Sequence, residues 1–366
     1  MAVTFVPAEE IDRTFAHSTN LASANLNSKI LSTSNDYFAE AKNLLTPGPP
    51  VHRPGVFVHT GAWYDGWETR RHNPEPYDWV VIKLGVASAA IQGVEIDTHW
   101  FSGNYGEKAE LQGTYAPADS GITDAQIADP AFSGWSTILP PQAQGPTQRR
   151  GYKLNDYNPA SPTPYTHVRL LMYPDGGFGR LRVYGHAIPP PPPAISGAAA
   201  APPLEELSSA LLGGLALAAS DEHFTPSSNL LLPGRGKDMG DGWETARSRT
   251  PGHVDWTVLK LGLPGTVSRV VVDTKDFRGN FPRHVRVHGL LAGQVGATEV
   301  PAPDHPGWIA LLAGDKPTQA DTEHVFEGAD LAAGGEDART FSHVKLTLVP
   351  DGGVKRLRIF GRRAVV

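Results

Sequence analysis

The residues best suited to proton transfer lie in two short stretches of the first half of the chain. Glu68 follows an Asp-Gly-Trp sequence, and further on Asp97 and His99 lie two positions apart. On a strand, residues two apart face the same way, so Asp97 and His99 could form an acid–base pair or supply two metal ligands. Arg70 adds a guanidinium, which can bind a carboxylate through two hydrogen bonds, and Asn104 adds an amide. These residue types predict acid–base chemistry on a small anionic substrate.

Structural roles compete with this interpretation. Asp65, in the Asp-Gly-Trp sequence, is best explained as a turn residue that caps backbone amides. Turn chemistry does not explain Glu68, for which a catalytic and a structural role both stay open. A divalent metal such as Mn²⁺ is possible at the aspartate–histidine pair but is not predicted, because no third histidine occurs at ligand spacing. No motif for an organic cofactor appears, so none is expected.

The chemistry-bearing stretch occurs twice. Residues 241–245 repeat residues 65–69 at an offset of 176 positions, and residues 165–185 and 341–361 are identical at 11 of 21 positions with the same offset. One offset held over so long a span is not chance, and each copy is far longer than a solenoid repeat. The chain is therefore predicted to be an internal duplication. The counterparts of Glu68, Asp97 and Asn104 are Glu244, Asp273 and Asn280, whereas Lys275 replaces His99 and Ala246 replaces Arg70.

The repeat sets the domain boundaries. Residues 1–19 have no counterpart and are expected to be an arm or a disordered lead. Residues 20–188 form the first repeat and 204–366 the second, and each is long enough to bury its own core. The proline- and alanine-rich stretch between them, 189–203, is predicted to be a stiff linker.

Composition favours an all-β fold. Glycine and proline together contribute 39 and 33 of 366 residues, which suits short elements joined by turns. A continuous apolar block rich in β-branched residues predicts a strand buried on both faces over 79–84, and the next strand is expected over 91–98. Alternating apolar residues predict a strand over 168–173, and a Pro-Asp-Gly-Gly turn at 174–177 predicts a hairpin with the strand at 180–184. The same hairpin is expected at 350–360. Trp67, Trp79, Trp243 and Trp256 are expected to be buried, and His167 and His343, at strand starts, to be structural.

Several partners and locations are disfavoured. A net charge of −6 without a basic run argues against nucleic acid. The most apolar run, 211–219, is too short to cross a membrane, and the amino end lacks the pattern of a secretory signal. The absence of cysteine suits a reducing compartment. A cytoplasmic protein is expected.

Several long motifs occur in the same order in the two repeats, and with them the chain resembles the allantoicase (allantoate amidinohydrolase) family. The resemblance implies two tandem jelly-roll β-sandwiches similar to galactose-binding or discoidin-like domains. It also implies hydrolysis of allantoate to ureidoglycolate and urea in purine degradation, and a homo-oligomer. The motifs that carry it are Asp36-Tyr37-Phe38-Ala39, Asn43-Leu44-Leu45, the Asp-Gly-Trp-Glu-Thr-Arg segment at 65–70, residues 95–101 with Gly103-Asn104, the Pro-Asp-Gly-Gly segments, and Ser220-Asp221-Glu222-His223-Phe224.

The competing hypothesis is a tandem carbohydrate-binding module without catalysis, because the same fold serves both purposes. A bivalent binding protein has little reason to differ between its two sites, and an enzyme that uses one copy does. The copies differ at His99/Lys275, Trp100/Asp276, Glu107/Arg283 and Arg70/Ala246.

The first repeat is therefore predicted to carry the catalytic residues. Asp97 or Glu68 is expected to be the base and His99 the acid, with Arg70 on the substrate carboxylate and Asn104 beside it. Glu244, Asp273 and Asn280 of the second repeat are expected to keep binding or structural roles.

Overall fold

The computed structural model describes residues 2–192, 203–296, 298–334 and 338–364. The chain separates into two compact units, residues 1–188 and 189–366. Most of the predicted linker, residues 193–202, lies outside the described residues. In the part of the chain that the structure describes, no helix is long and apolar enough to span a membrane.

The first unit is built almost entirely from antiparallel strands. Two short α-helices and two 3₁₀ helices, Ala24–Leu26 and Ala41–Leu45, interrupt them. In chain order the elements are β1 Val3–Val6, α1 Ala8–Thr14, β2 Thr19–Asn20, β3 Lys29–Thr33, β4 Phe57–Val58, β5 Gly61–Ala62, β6 Trp67–Glu68, β7 Asp78–Lys83, β8 Ser88–Asp97, β9 Lys108–Thr114, α2 Asp124–Ile127, β10 Ser136–Ala143, β11 Arg149–Leu154, β12 Pro164–Tyr165, β13 His167–Tyr173, β14 Gly177–Phe178 and β15 Arg180–Ile188.

Two sheets form the sandwich of the first unit. One has the order β1-β11-β8-β15-β2, with β12 also paired to β8, and the other has the order β10-β9-β13-β7-β3. Alternate residues of β13 and β15, such as Val168, Leu170 and Val183, are completely buried and supply the core between the sheets. Of the catalytic candidates, Glu68 ends β6, Asp97 ends β8 and His99 follows it, so a packed scaffold positions them.

The amino-terminal arm is ordered in its described part, residues 2–19. β1 extends the first sheet by pairing with β11, and Ile11 of α1 is fully buried. The ring of Phe15 stacks on Tyr184 of β15 with centroids 4.4 Å apart. The arm therefore covers the edge of the first sheet, and the burial of its apolar side chains against that sheet holds it in place.

The second unit repeats this plan. Its 3₁₀ helices are Ala210–Leu212, Ser227–Leu231, Met239–Asp241 and Gly328–Asp330. Its strands are β16 Glu205–Glu206, β17 Leu215–Ala219, β18 Trp243–Glu244, β19 Asp255–Asp273, β20 His284–Leu291, β21 Ile309–Ala310, β22 Lys316–Pro317, β23 Glu323–Glu327, β24 Phe341–Val349, β25 Gly353–Val354 and β26 Arg356–Arg363.

The long strand β19 joins the two layers of the second unit. Its first part pairs with β17 and β24, and its last part pairs with β23 and β26. In the first repeat the corresponding residues form two separate strands, β7 and β8. The all-β fold of two tandem jelly-roll repeats, predicted from the duplication and the family resemblance, is confirmed.

The predicted terminal hairpins are wrong. β13 pairs with β7 and β9 in one sheet, and β15 pairs with β8 and β2 in the other. The Pro-Asp-Gly-Gly turn at 174–177 therefore carries the chain across the sandwich. In the second repeat, β24 and β26 likewise pair with different parts of β19 and not with each other. Strand alternation is the same for a hairpin and for an arch between layers, so the pattern could not separate them.

The tryptophan prediction is half right. Trp67 and Trp243 are completely buried, and their indole N–H groups donate to the carbonyls of Asn35 and Asp221. Trp79 and Trp256 are only half-buried. Each is the second residue of its strand and alternates with a core residue, so its ring lies on the outer face.

Candidate active site

Glu68 is held in a buried position between two segments. It belongs to β6, which pairs with β14, and only 6% of the residue is exposed. Its Oε1 accepts a hydrogen bond of 2.7 Å from the side-chain amide of Asn104, whereas Oε2 accepts none from the described residues. Burial raises the pKa of Glu68, against the opposing effects of Asn104 and the nearby Arg71. The pKa of the carboxyl group is thus shifted upward, and one of its oxygens remains available to a ligand.

Arg71 completes this cluster. Its guanidinium donates to the carbonyl of Gly103 at 2.9 Å, and it lies 3.4 Å from Oδ1 of the mostly buried Asp175. Asp175 in turn accepts from the backbone N–H of Asn73 at 3.2 Å. The sequence interpretation singled out Arg70 and missed this role for Arg71, although the arginine is present in both repeats. That shared position was the signal that could have found it.

Asp97 and His99 form a hydrogen-bonded pair. Asp97 ends β8 and is 4% exposed, and its Oδ1 accepts from both the backbone N–H and the ring Nδ1 of His99, each at 2.7 Å. His99 lies beyond the end of β8. A turn after Asp97 therefore brings the two side chains together, and not the alternation of side chains along a strand, as the sequence had suggested. A buried carboxylate that holds one imidazole nitrogen leaves Nε2 as the reactive nitrogen. Nε2 has no hydrogen-bond partner among the described residues.

Arg70 is presented by an aromatic ring. Its guanidinium carbon lies 4.3 Å from the centroid of the Tyr37 ring, a cation–π contact. Within the described ranges, the Arg70 guanidinium makes no hydrogen bond, whereas the backbone N–H donates to Oδ1 of Asn35 and the backbone carbonyl accepts from the Thr69 hydroxyl. The donors of the guanidinium are therefore available to an anion.

A loop that is longer in the first repeat contacts Arg180, the cross-strand partner of Asp97, and Trp100, the residue after His99. Arg180, which is 1% exposed, donates to the carbonyls of Gly48 and Pro49 and to Oδ2 of Asp65. The indole N–H of Trp100 donates to the carbonyl of Pro50 at 2.9 Å, and its ring stacks on His52 at 4.7 Å. Trp100 adopts a φ of 74°, a rare conformation for a non-glycine residue. Sequence reasoning did not find the stacked Trp100–His52 pair, because the contact joins a loop to a distant turn.

The second repeat retains the glutamate–asparagine pair. Asn280 donates a short hydrogen bond to Oε1 of Glu244, as Asn104 does to Glu68. Arg247 donates to the carbonyl of Gly279 at 3.4 Å, as Arg71 does to Gly103. The half of the site around the glutamate is thus duplicated.

The other half of the site is closed in the second repeat. Both carboxylate oxygens of Asp273 are bound by Arg235, at 2.7 and 2.9 Å. Lys275, which replaces His99, forms an ion pair of 2.9 Å with Asp276, which replaces Trp100. The completely buried Lys355, which replaces Gly179, also pairs with Asp276 at 3.1 Å. Asp273 is therefore neutralised within the protein, and its carboxylate is not open to a substrate.

The structure thus sorts the predicted site residues into distinct groups. It joins Glu68 to Asn104, Asp97 to His99, and Glu244 to Asn280. Within the described part of the chain, no hydrogen bond or ion pair links Glu68 to Asp97, His99 or Arg70. The described residues also contain no group of three or more His, Cys, Asp or Glu side chains arranged to hold a metal ion.

Two jelly-roll repeats, the first of which holds a buried carboxyl group of raised pKa and a buried-carboxylate–histidine pair, are an arrangement that suits a tandem-repeat hydrolase of a small polar substrate. A family model described as the allantoicase repeat matches residues 19–188 and 205–364. The chain is 48% identical over 363 residues to an allantoicase of Neurospora crassa, covering 99% of this chain and 96% of the relative. It is 42% identical over 342 residues to an allantoicase of Saccharomyces cerevisiae, covering 92% of each.

Solved structures agree. The crystal structure of the Saccharomyces cerevisiae allantoicase superposes with a TM-score of 0.80 at 37% identity, covering 99% of this chain and 100% of that one. The chain belongs to the allantoicase family. The predicted family and the predicted enzyme class, a hydrolase of allantoate in purine degradation, are confirmed. The alternative of a non-catalytic carbohydrate-binding module is set aside.

Proposed function

We propose that the first repeat carries the acid–base chemistry of allantoate hydrolysis. The observation that supports it most is the difference between the repeats. In the first, Glu68 Oε2, His99 Nε2 and the Arg70 guanidinium have no hydrogen-bond partners among the described residues. In the second, Arg235 binds Asp273, the counterpart of Asp97, and Asp276 forms an ion pair with Lys275, the counterpart of His99.

Glu68 is the base in this proposal. Allantoate carries two ureido groups and a carboxylate on one carbon, and its hydrolysis replaces one ureido group by a hydroxyl. Glu68 accepts a proton from the attacking water, a task for which a carboxylate of raised pKa is better suited than an ordinary one. The hydrogen bond from Asn104 fixes the orientation of the carboxylate during that step.

His99 is the acid. Its Nε2 delivers a proton to the ureido nitrogen that leaves, so the carbon–nitrogen bond breaks as the carbon–oxygen bond forms and urea departs with ureidoglycolate as the other product. Asp97 holds Nδ1 and stabilises the imidazolium, and it is thus a positioning residue. Glu68 returns its proton to solvent and His99 takes one up, which restores both groups.

Arg70 binds the substrate carboxylate. The Tyr37 ring orients the guanidinium, whose planar donors match the two carboxylate oxygens. The proposal uses no nicotinamide, flavin or nucleotide, and it requires no Mn²⁺.

The test is release of urea from allantoate by the purified protein at neutral pH, measured with added Mn²⁺ and separately with a chelator. Equal rates in both conditions support the proposal. Activity that disappears with the chelator and returns with Mn²⁺ contradicts its metal-free form. Absence of urea above the uncatalysed rate in every condition contradicts it altogether.

Two further properties belong to this proposal. The protein is a homo-oligomer, as the family resemblance implies, and light scattering of the purified chain tests this. The protein acts in the cytoplasm, which the absence of cysteine supports, and fractionation of the source cells tests this.

A further inference from the structure

The second repeat contains the same glutamate–asparagine pair as the first. Glu244 is half-buried in β18, and Asn280 reaches it from a turn 36 positions further along the chain. The same separation of 36 positions joins Glu68 to Asn104. A partly buried carboxylate loses solvation and is retained where hydrogen bonds or a ligand compensate for that loss. The repeat has thus kept the pair although the neighbouring Asp–His pair has been lost.

Groups around Glu244 remain able to bind a ligand. Oε2 of Glu244 accepts no hydrogen bond from the described residues, whereas Oε1 is held by Asn280. Arg247 is exposed, and its one hydrogen bond to the described residues, to the carbonyl of Gly279, is long at 3.4 Å. Its counterpart Arg71 is also tied to Asp175. An acceptor for N–H groups and a guanidinium for an anion therefore lie on one repeat.

The described part of the second repeat has no counterpart of the hydrogen-bonded Asp97–His99 pair. Lys275, in place of His99, is paired with Asp276, and Asp273 is bound on both oxygens by Arg235. A ligand bound by Glu244 would consequently meet no counterpart of the His99 imidazole to protonate a leaving nitrogen.

We propose that Glu244, Asn280 and Arg247 form a second binding site, which takes a ureido acid and does not hydrolyse it. Glu244 accepts the N–H groups of the ureido arm, Asn280 holds Glu244 in place, and Arg247 binds the carboxylate. The identity of the ligand rests on the proposed function of the first repeat, because the ligand class is carried over from Glu68 and Asn104. The chain thereby has one hydrolytic site and one binding site for the same class of molecule.

The probe for this site is ureidoacetate. It has one carboxylate and one ureido arm but lacks the second ureido group of allantoate, and an assay for released urea verifies that the enzyme does not consume it during the titration. Isothermal titration of the full chain with ureidoacetate is expected to give two sites per chain. Glu244→Gln and Glu68→Gln are each expected to leave one. Asp315→Asn, which breaks an exposed ion pair with Arg286 in the second repeat, is the matched control and keeps two.

Arg247→Ala is a second variant that tests the site without disturbing the fold, because it removes an exposed side chain and leaves the Glu244–Asn280 pair in place. It is expected to weaken one of the two sites by about tenfold or more, the value of a hydrogen bond to a charged group, at an unchanged melting temperature. One site per chain in the unmodified protein, or two sites that survive both Glu244→Gln and Arg247→Ala, overturns the inference.

The two proposals fail in different ways. If Glu68→Gln releases urea from allantoate at the normal rate while Glu244→Gln removes one ureidoacetate site, the assignment of catalysis is wrong and the second site stands. If Glu68→Gln is inactive and the stoichiometry is one, the catalytic assignment stands and the second site does not.

Discussion

The side-chain amide of Asn104 donates a 2.7 Å hydrogen bond to Oε1 of Glu68, across 36 positions of sequence. This contact joins the end of β6 to the turn that follows Asp97 and His99. It fixes a carboxyl group whose pKa burial raises, and it leaves the other oxygen without a donor among the described residues. Both features suit a group that must gain and lose a proton during each turnover.

Replacement of Glu68 by glutamine is expected to lower kcat by about 10²–10⁴, the usual contribution of one acid–base group. The amide keeps the volume of the side chain and can still bond to Asn104, so the fold should be retained. The matched variant Glu244→Gln is expected to cost about tenfold or less. Urea release and the melting temperature of each variant are the measurements. A larger loss for Glu244→Gln at an unchanged melting temperature would place the active site in the second repeat.

The pH dependence of the reaction should report the same group. A base acts only when ionised, so kcat/KM falls as the pH drops through the pKa of Glu68. Because burial raises that pKa, the midpoint of the acidic limb is expected above 4.5, the ordinary value for a glutamate. A rate profile over pH 4 to 8 measures it. An acidic limb that persists unchanged in the residual activity of Glu68→Gln would belong to another group.

The duplication, the all-β class and the jelly-roll repeats could be predicted because long motifs recur at one offset and alternate as strands do. The sheets to which β13 and β15 belong could not be predicted, since alternation does not indicate which sheet a strand joins. At the site, residue types nominated Glu68, Asp97 and His99 as candidates, but only coordinates showed that Arg235 neutralises Asp273. That contact joins a loop to a strand end 38 positions away, and no local pattern encodes it.

His99→Ala is expected to reduce kcat by about 10²–10⁴, and Lys275→Ala by about tenfold or less. Asp97→Asn tests how the pair works. An amide can present a donor to Nδ1 and hold the ring in the wrong tautomer, so kcat should fall by a similar factor with little change in KM. Steady-state kinetics of the three variants distinguish these effects. A large rise in KM with normal kcat for His99→Ala would show that the histidine only binds substrate.

Arg70→Ala is expected to raise KM for allantoate by about tenfold or more, since a charge-assisted contact to the substrate carboxylate is lost. Tyr37→Leu should raise it less, because the guanidinium remains but loses the ring that orients it. Arg53→Ala is the control, because Arg53 also lies over an aromatic ring, Trp63, at 4.8 Å. An equal effect of Arg53→Ala and Arg70→Ala would indicate a general loss of positive charge near the site.

The stability of the second repeat should depend on His343. This residue is the third of β24 and is 4% exposed, and its Nδ1 lies 2.9 Å from the hydroxyl of Ser342. Burial, with a smaller effect of the Lys260 charge, lowers its pKa from 6.5 to about 4. Between these two values the unfolded chain binds more protons than the folded one, so the free energy of unfolding falls as the pH drops from 6.5 toward 4. The loss is roughly 3 kcal/mol at most, at 1.36 kcal/mol for each pKa unit.

Hydrogen exchange of the β24 amides between pH 7 and pH 4, corrected for the intrinsic rate, measures this loss of stability locally. A local measurement is needed because the chain has two compact units, which need not unfold together. His343→Gln should remove that part of the pH dependence, and His52→Gln, in an exposed loop, should leave it unchanged. If protection of β24 falls equally with acid in both variants, His343 is not the group that links the stability of the repeat to pH.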